Sequence, residues 1–326
     1  MPSRSLNVLI VVPTLQVGAA DTGAVELVRI LAAGGHKPIV ASSGGRLTEA
    51  TEAAGGENVL LDMDSQNPVA RGARVIAVSE QIALLVNDRY GTSWDRIVVV
   101  PASVDTGKFD PAHVSRERID AMRIRWGVGR GDRLILVTGR MLRRKGHHIA
   151  VRAISRLKAM GVKDFVCVFT AEDQGTRYAA ELWDQVMASE TADVVRISGP
   201  IDDLPAAYAA ASVVVSAAVQ PEGLQRALLE AQAMARPVIV SELGAADVVL
   251  APPAVPHDRM TGLRFANGDD SALAAALIQL FSLPKSAQQA IGARGRAWVL
   301  EHFNATAVSE ATLKLYADVA AQTTAV

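Results

Sequence analysis

Residues 221–237 read PEGLQRALLEAQAMARP, and the rest of the chain is best understood outward from them. They follow the apolar run 213–217 (VVVSA), which has the composition of a buried parallel strand. Pro221 marks a turn, and residues 224–234 are strong helix formers that stop before Pro237. A strand, a loop and a helix N-terminus in succession is where open α/β sheets bind ligands. On such a helix Glu222, Arg226 and Glu230 recur at i, i+4 and i+8 and form one polar stripe on an otherwise apolar surface. The two carboxylates would stand about 12 Å apart along the axis. That reach suits a ligand with hydroxyls at both ends and an anionic group between. A solvated stripe of ion pairs is the competing reading.

Outward from this stretch, strands and helices alternate. Downstream lie strands over 237–241 and 262–265, then helices over 271–281, 286–300 and 306–321. Upstream, strands are expected over 133–138, 165–170 and 194–198, separated by helices ending near 160, over 177–188 and over 204–210. The first third reads as strands 7–13, 38–42, 59–61, 74–78 and 97–100 with helices 23–33, 47–54 and 80–90. This rhythm predicts an α/β protein with parallel sheets, and 326 residues suit two domains rather than one. The expected division is an N-terminal domain over 1–110 and a C-terminal one over 111–303. One connection breaks the rhythm. Residues 62–73 (DMDSQNPVARGA) carry no helical period and barely suffice for a parallel crossover, so the N-terminal domain reads as truncated.

Composition narrows the function. Half of the residues are hydrophobic and the net charge is −1, which describes an ordinary globular protein and not a nucleic-acid binder. The single cysteine, Cys167, lies in the strand 165–170, so neither an intrachain disulfide nor a cysteine metal cluster is expected. The six histidines are scattered, and His147-His148 lack the companions of a metal site. Asp62-Met63-Asp64 resembles a metal-binding Asp-x-Asp but sits in the polar linker without a supporting strand end, and reads as surface loop. No G-x-S-x-G occurs. The apolar run 8–12 ends at Pro13, too short for a signal-peptide core, and no stretch reaches transmembrane length, so cytoplasmic residence is the expectation. Residues 116–145 hold ten basic against three acidic side chains, an interdomain segment and a candidate face for peripheral contact with the inner side of a membrane.

The second motif is GRMLRRKG at 139–146, four basic side chains following a strand. Guanidinium, ammonium and helix N-terminal N–H groups converge naturally on phosphate oxygens. A solvated basic loop is the alternative.

Gly139-Arg140 with Lys145-Gly146, then Pro221-Glu222-Gly223 with Glu230-Ala231, and Thr261-Gly262-Leu263, resemble the retaining group 1 (family 4) glycosyltransferases of GT-B architecture. Residues 75–79 and Pro101, Val104, Asp105 and Phe109 extend the resemblance over nearly the whole chain. It implies two Rossmann-like doubly wound domains, acceptor on the N-terminal one and donor on the C-terminal one, with a last segment, 304–326, crossing back. It implies a nucleotide-sugar donor and a glycan or glycolipid acceptor, with no cofactor and no metal. Arg140 and Lys145 would hold the donor diphosphate and Glu222 the sugar hydroxyls, these three being the catalytic set. Gly18, Gly139, Gly223, Leu224 and Gln225 would line the donor, and Glu230 would bond the nucleotide ribose.

The chain also departs from the family pattern. Ala19 replaces the second glycine of an N-terminal pair and Ser103 a glycine before Val104-Asp105. Gln225 and Ala235 stand where glycines are common, and about two βα units are missing at 65–72. Three readings therefore compete: an active transferase of cell-envelope glycan synthesis, a nucleotide-sugar binding relic, and a sugar-nucleotide epimerase.

Overall fold

The structure is a computed structural model of the chain. It describes residues 5–12, 14–16, 19–60, 74–170, 175–243, 248–251 and 254–323. The linker at 62–73 lies outside the described residues, and so does the reading of a shortened domain that turns on it. Two compact units emerge. The first comprises Met1–Ala77, Val86–Ala102 and Thr306–Val326, and the second Val78–Leu85 and Ser103–Ala305.

The first unit opens with β1 (Asn7–Val11), α1 (Ala19–Ala33), β2 (Lys37–Ser42), α2 (Thr48–Ala53) and β3 (Glu57–Leu60). These strands form a parallel sheet in the order β1-β2-β3. Residues β4 (Val75–Ala77) and β5 (Ile97–Val99), joined through α3 (Glu80–Tyr90), form a second parallel pair. Along β1 the side chains alternate, Val8 and Ile10 turning inward against Val28 and Leu31 of α1. Helix α1 starts a turn earlier than the sequence suggests, at Ala19 rather than residue 23. Asp21 in its first turn complements the helix dipole and accepts a 3.3 Å hydrogen bond from Thr14 Oγ1.

The second unit, which also includes Val78–Leu85, contains α4 (Arg116–Arg125), which the sequence reading missed. This helix has no apolar stripe, and Met122 is its buried residue, so periodicity carries no signal there. Ser115 caps it, accepting from the Arg118 amide. The basic run turns out to serve this unit itself. Arg118 grips Asp203 through two hydrogen bonds of 2.8 and 2.7 Å. Arg123 donates to the carbonyls of Asp132 and Ala210 at 2.9 and 3.3 Å.

Then follow β6 (Arg133–Thr138), α5 (His147–Ala159), β7 (Phe165–Thr170), α6 (Arg177–Ala188), β8 (Val195–Ser198) and α7 (Leu204–Ala210). The series continues through β9 (Val213–Ser216), α8 (Arg226–Ala233), β10 (Val238–Ser241), β11 (Gly262–Phe265), α9 (Asp270–Ser282) and α10 (Lys285–His302). The six strands form one parallel sheet, ordered β11-β10-β9-β6-β7-β8. Ile135 and Val137 face a core shared with Ile154, Leu182 and Leu277, while Leu134 and Leu136, on the opposite face by the pleat, are also buried. Burial on both faces explains why these strands are continuous apolar runs. The chain winds outward one way from β6 to β8 and the other way from β9 to β11. The switch point therefore lies between β6 and β9. Ala235, at the end of α8, adopts φ +55°, a left-handed conformation that costs an L-residue about 1–2 kcal/mol and suits the glycine it replaces. The last helix, α11 (Ala305–Thr323), sets Tyr316 against the Val8–Val40 core of the first unit.

Candidate functional site

The carboxyl ends of β6 and β9 carry both motifs. After β6, Gly139 takes φ +124° and the loop closes through a single 3-10 turn, Arg143–Lys145, before Gly146 at φ +69° opens α5. A Cβ at Gly146 would stand 1.7 Å from the Ala217 carbonyl oxygen just beyond β9, so only glycine permits this approach. The Val219 amide donates to the Arg144 carbonyl at 2.9 Å. Two loops distant in sequence are thus joined through their backbones at the switch point, where open α/β sheets place their ligands.

Glu222 sits in the second of these loops and not on a helix. Helix α8 begins at Arg226 with Gln225 at its N-cap, which removes the expected stripe of Glu222, Arg226 and Glu230. The Glu222 amide turns away to the Leu243 carbonyl at 3.3 Å, and the chain bends at Gly223 before the helix begins. Placed there, Glu222 is almost fully buried and meets the first motif. Lys145 Nζ donates to Oε2 at 2.6 Å and Arg144 Nη1 to Oε1 at 2.5 Å. Gly223 lies close to Val78 and Ile82, where a Cβ would come within 2.9 Å of Val78 Cγ2. Leu224 and Gln225 are buried beside it, and Gln225 Nε2 has no hydrogen-bond partner among the described residues. Arg140 is exposed at the head of the basic loop.

Glu230 projects from α8 and accepts a 2.9 Å hydrogen bond from Tyr208 Oη of α7. Burial pushes its carboxyl above the usual range, against the lowering effect of that hydrogen bond and of the nearby Arg226 and Lys108 charges. His147, the first residue of α5, is wholly buried against the rings of Phe169 and Tyr178. Burial pushes it down to about 4, and the Lys145 charge acts in the same direction. It is therefore neutral near pH 7, and the positive character of the site comes from the Arg and Lys side chains and the α5 amide groups.

The structure thus brings together Gly139, Lys145, Glu222, Gly223, Leu224 and Gln225 with Arg140 at the same loop. Gly18 lies outside the described residues. Arg144 and Tyr208 were not found from the sequence. Arg144 was one of four basic residues within 140–145 with nothing in its spacing to single it out, and Tyr208 sits in another element altogether. Among the described residues no three His, Cys, Asp or Glu side chains are placed to hold a metal ion, and no helix is long and apolar enough to cross a membrane.

A doubly wound domain with a basic loop and two carboxylates at its switch point is a setting suited to an anionic, hydroxyl-bearing ligand. The comparisons make the class specific. Residues 132–282, spanning β6 to α9 and the Lys145, Glu222 and Glu230 positions, match the family of glycosyl transferases group 1. Residues 132–282 therefore form a group 1 glycosyltransferase domain.

Over 260 residues it is 30% identical to a D-inositol 3-phosphate glycosyltransferase of Kineococcus radiotolerans, covering 77% of this chain and 58% of that relative. It is 32% identical over 175 residues to the enzyme so named from Pseudarthrobacter chlorophenolicus, covering 53% and 40%. The match thus spans about half the length of these curated relatives. A glycosyltransferase from Rickettsia africae superposes with a TM-score of 0.86 at 22% identity, over 97% of this chain and 99% of that one. The Anabaena HepE protein in complex with UDP-glucose superposes at 0.79 and 14% identity, over 97% and 100%. These likenesses establish the GT-B fold: α/β throughout, with parallel sheets.

Proposed function

We propose that this protein is a retaining glycosyltransferase that moves a sugar from a nucleoside-diphosphate donor, held at the switch point of the second unit, to a cell-envelope glycan or lipid-linked acceptor. The observation that carries the reading is the buried Glu222 held by Lys145 beside the α5 N-terminus. Lys145 and Arg140, beside the positive end of the α5 dipole, receive the diphosphate, and Glu222 accepts hydrogen bonds from the sugar hydroxyls. Gly139 and the backbone of Gly223, Leu224 and Gln225 line the donor, and Glu230 accepts from the nucleotide ribose. The UDP-glucose bound by the Anabaena neighbour supports the donor class, and the names of the curated relatives support glycosyl transfer.

In the transfer, the bond between sugar C1 and the diphosphate oxygen breaks with its electron pair moving onto the oxygen. The acceptor hydroxyl attacks C1 from the same face, and its proton passes to the departing phosphate. Negative charge develops where Arg140, Lys145 and the positive end of the α5 dipole stand. Fixed donors of this kind are each worth about 3 kcal/mol of barrier, and we assign the leaving group to them rather than to a metal.

The test is a panel of UDP-, GDP- and ADP-sugars, scored for binding by calorimetry and for release of free nucleoside diphosphate. One donor should bind and turn over, and Lys145→Ala should weaken its binding by about 2–5 kcal/mol. Binding without any release would mark a nucleotide-sugar binding protein instead. Interconversion of sugar nucleotides without an acceptor would mark an epimerase. A panel in which nothing binds would overturn the reading.

A further inference from the structure

We infer that Arg144 is the residue that holds Glu222 ready for the donor sugar, and so sets how strongly the site distinguishes a nucleotide sugar from the bare nucleotide. The inference rests on the donor site proposed above and assigns a division of labour within it. Glu222 is held on both oxygens, by Lys145 at Oε2 (2.6 Å) and by Arg144 at Oε1 (2.5 Å). Its side chain is only 6% exposed, so it depends on these two cations for compensation of its charge.

The two cations differ in what an incoming diphosphate can do to them. Lys145 is assigned to the diphosphate in the proposal above, and its flexible stem lies along Gly139, 3.6 Å from the position of a Cβ there. An ammonium is a point charge with three freely rotating donors, so phosphate oxygens compete with the carboxylate for it. Arg144 is anchored differently. Its carbonyl accepts the Val219 amide at 2.9 Å, from the very loop that carries Glu222, and the neighbouring Gly146 is pressed on the Ala217 carbonyl. Its planar guanidinium keeps a directional hydrogen bond to Oε1 that does not depend on Lys145. When the diphosphate draws on Lys145, Arg144 keeps the buried carboxylate charged, partnered and aimed. The lone pairs that the two cations leave over then accept the sugar hydroxyls. Arg144 is a positioning residue acting through Glu222, and Lys145 serves both the phosphate and the carboxylate.

The experiment compares, by calorimetry on the full chain, each donor of the panel (UDP-glucose, GDP-mannose, ADP-glucose) with its free diphosphate (UDP, GDP, ADP). The comparison is made in wild type, Arg144→Met, Arg144→Lys, Glu222→Gln and the double variant Arg144→Met/Glu222→Gln. Arg144→Met should leave the Kd of the free diphosphate within about twofold. It should raise the Kd of the cognate nucleotide sugar about tenfold, with Arg144→Lys restoring part of the difference. In the Glu222→Gln background the same substitution should change nothing further, since its effect passes through the carboxylate. Equal weakening of diphosphate and sugar nucleotide by Arg144→Met would make Arg144 a phosphate ligand and overturn the inference while leaving the donor site standing. Additive losses in the double variant would also overturn it. A wild type that binds no member of either set would remove the donor-site reading and this inference with it. Unfolding midpoints of the ligand-free variants separate a folding defect from each of these outcomes.

Discussion

His147 shows how a single residue ties the site to the stability of its unit. The unfolded chain protonates an imidazole near 6.5, whereas the folded protein takes up that proton only near 4. Between those values the unfolded state binds more protons, so stability falls as pH drops through the window and is fully present above it. The size of the effect is about 3 kcal/mol, as each tenfold displacement of the equilibrium is worth about 1.4 kcal/mol. Urea unfolding at pH 7 and near pH 4.5 should show this loss in the wild type, and His147→Asn should flatten the pH dependence. A variant that keeps the full slope would show that carboxylates, and not this imidazole, govern acid unfolding. From the sequence, His147 was one of two adjacent histidines without metal companions. That it is buried against Phe169 and Tyr178 depends on packing that no spacing rule conveys.

At the level of elements, the decisive joint is the meeting of the β6–α5 and β9–α8 loops. Gly146 combines φ +69° with a carbonyl 1.7 Å from where a Cβ would be. Alanine there must strain its backbone and push the two loops apart at once. We expect Gly146→Ala to cost more than about 2 kcal/mol, from left-handed strain plus the clash. It should separate Arg144 and Lys145 from Glu222, so that donor affinity falls as well. Thermal unfolding and calorimetry on the same sample check both effects, and a fully stable variant would refute the close approach. The strand-loop-helix order around Glu222 was legible because β9 is apolar and Pro221 breaks it. The start of α8 was not. Glu222, Leu224 and Gln225 are good helix formers, but Gly223 weakens the segment and the Glu222 amide hydrogen-bonds to the carbonyl of Leu243, a residue of another loop.

For the whole molecule, every described residue assigned to the donor lies in the second unit, between Gly139 and Glu230. A bound nucleotide sugar should therefore slow amide hydrogen exchange most at 139–146 and 217–230. Strands β2 and β3 of the first unit should change little. Protection concentrated in β2 and β3 would move the donor out of the second unit and sink the assignment. What the sequence by itself determined is the α/β class, the parallel strands and the two motifs. Continuous apolar runs, glycine punctuation and clustered charge are local, and each follows from burial or backbone sterics acting on neighbours in the chain. Tertiary structure alone decided which charges meet. Arg144 and Lys145 stand 78 and 77 positions from Glu222. Their ion pairs exist because the strand order sets β6 beside β9 and Gly146 lets the two backbones touch, and side-chain contacts at that separation leave no periodicity for a sequence to display.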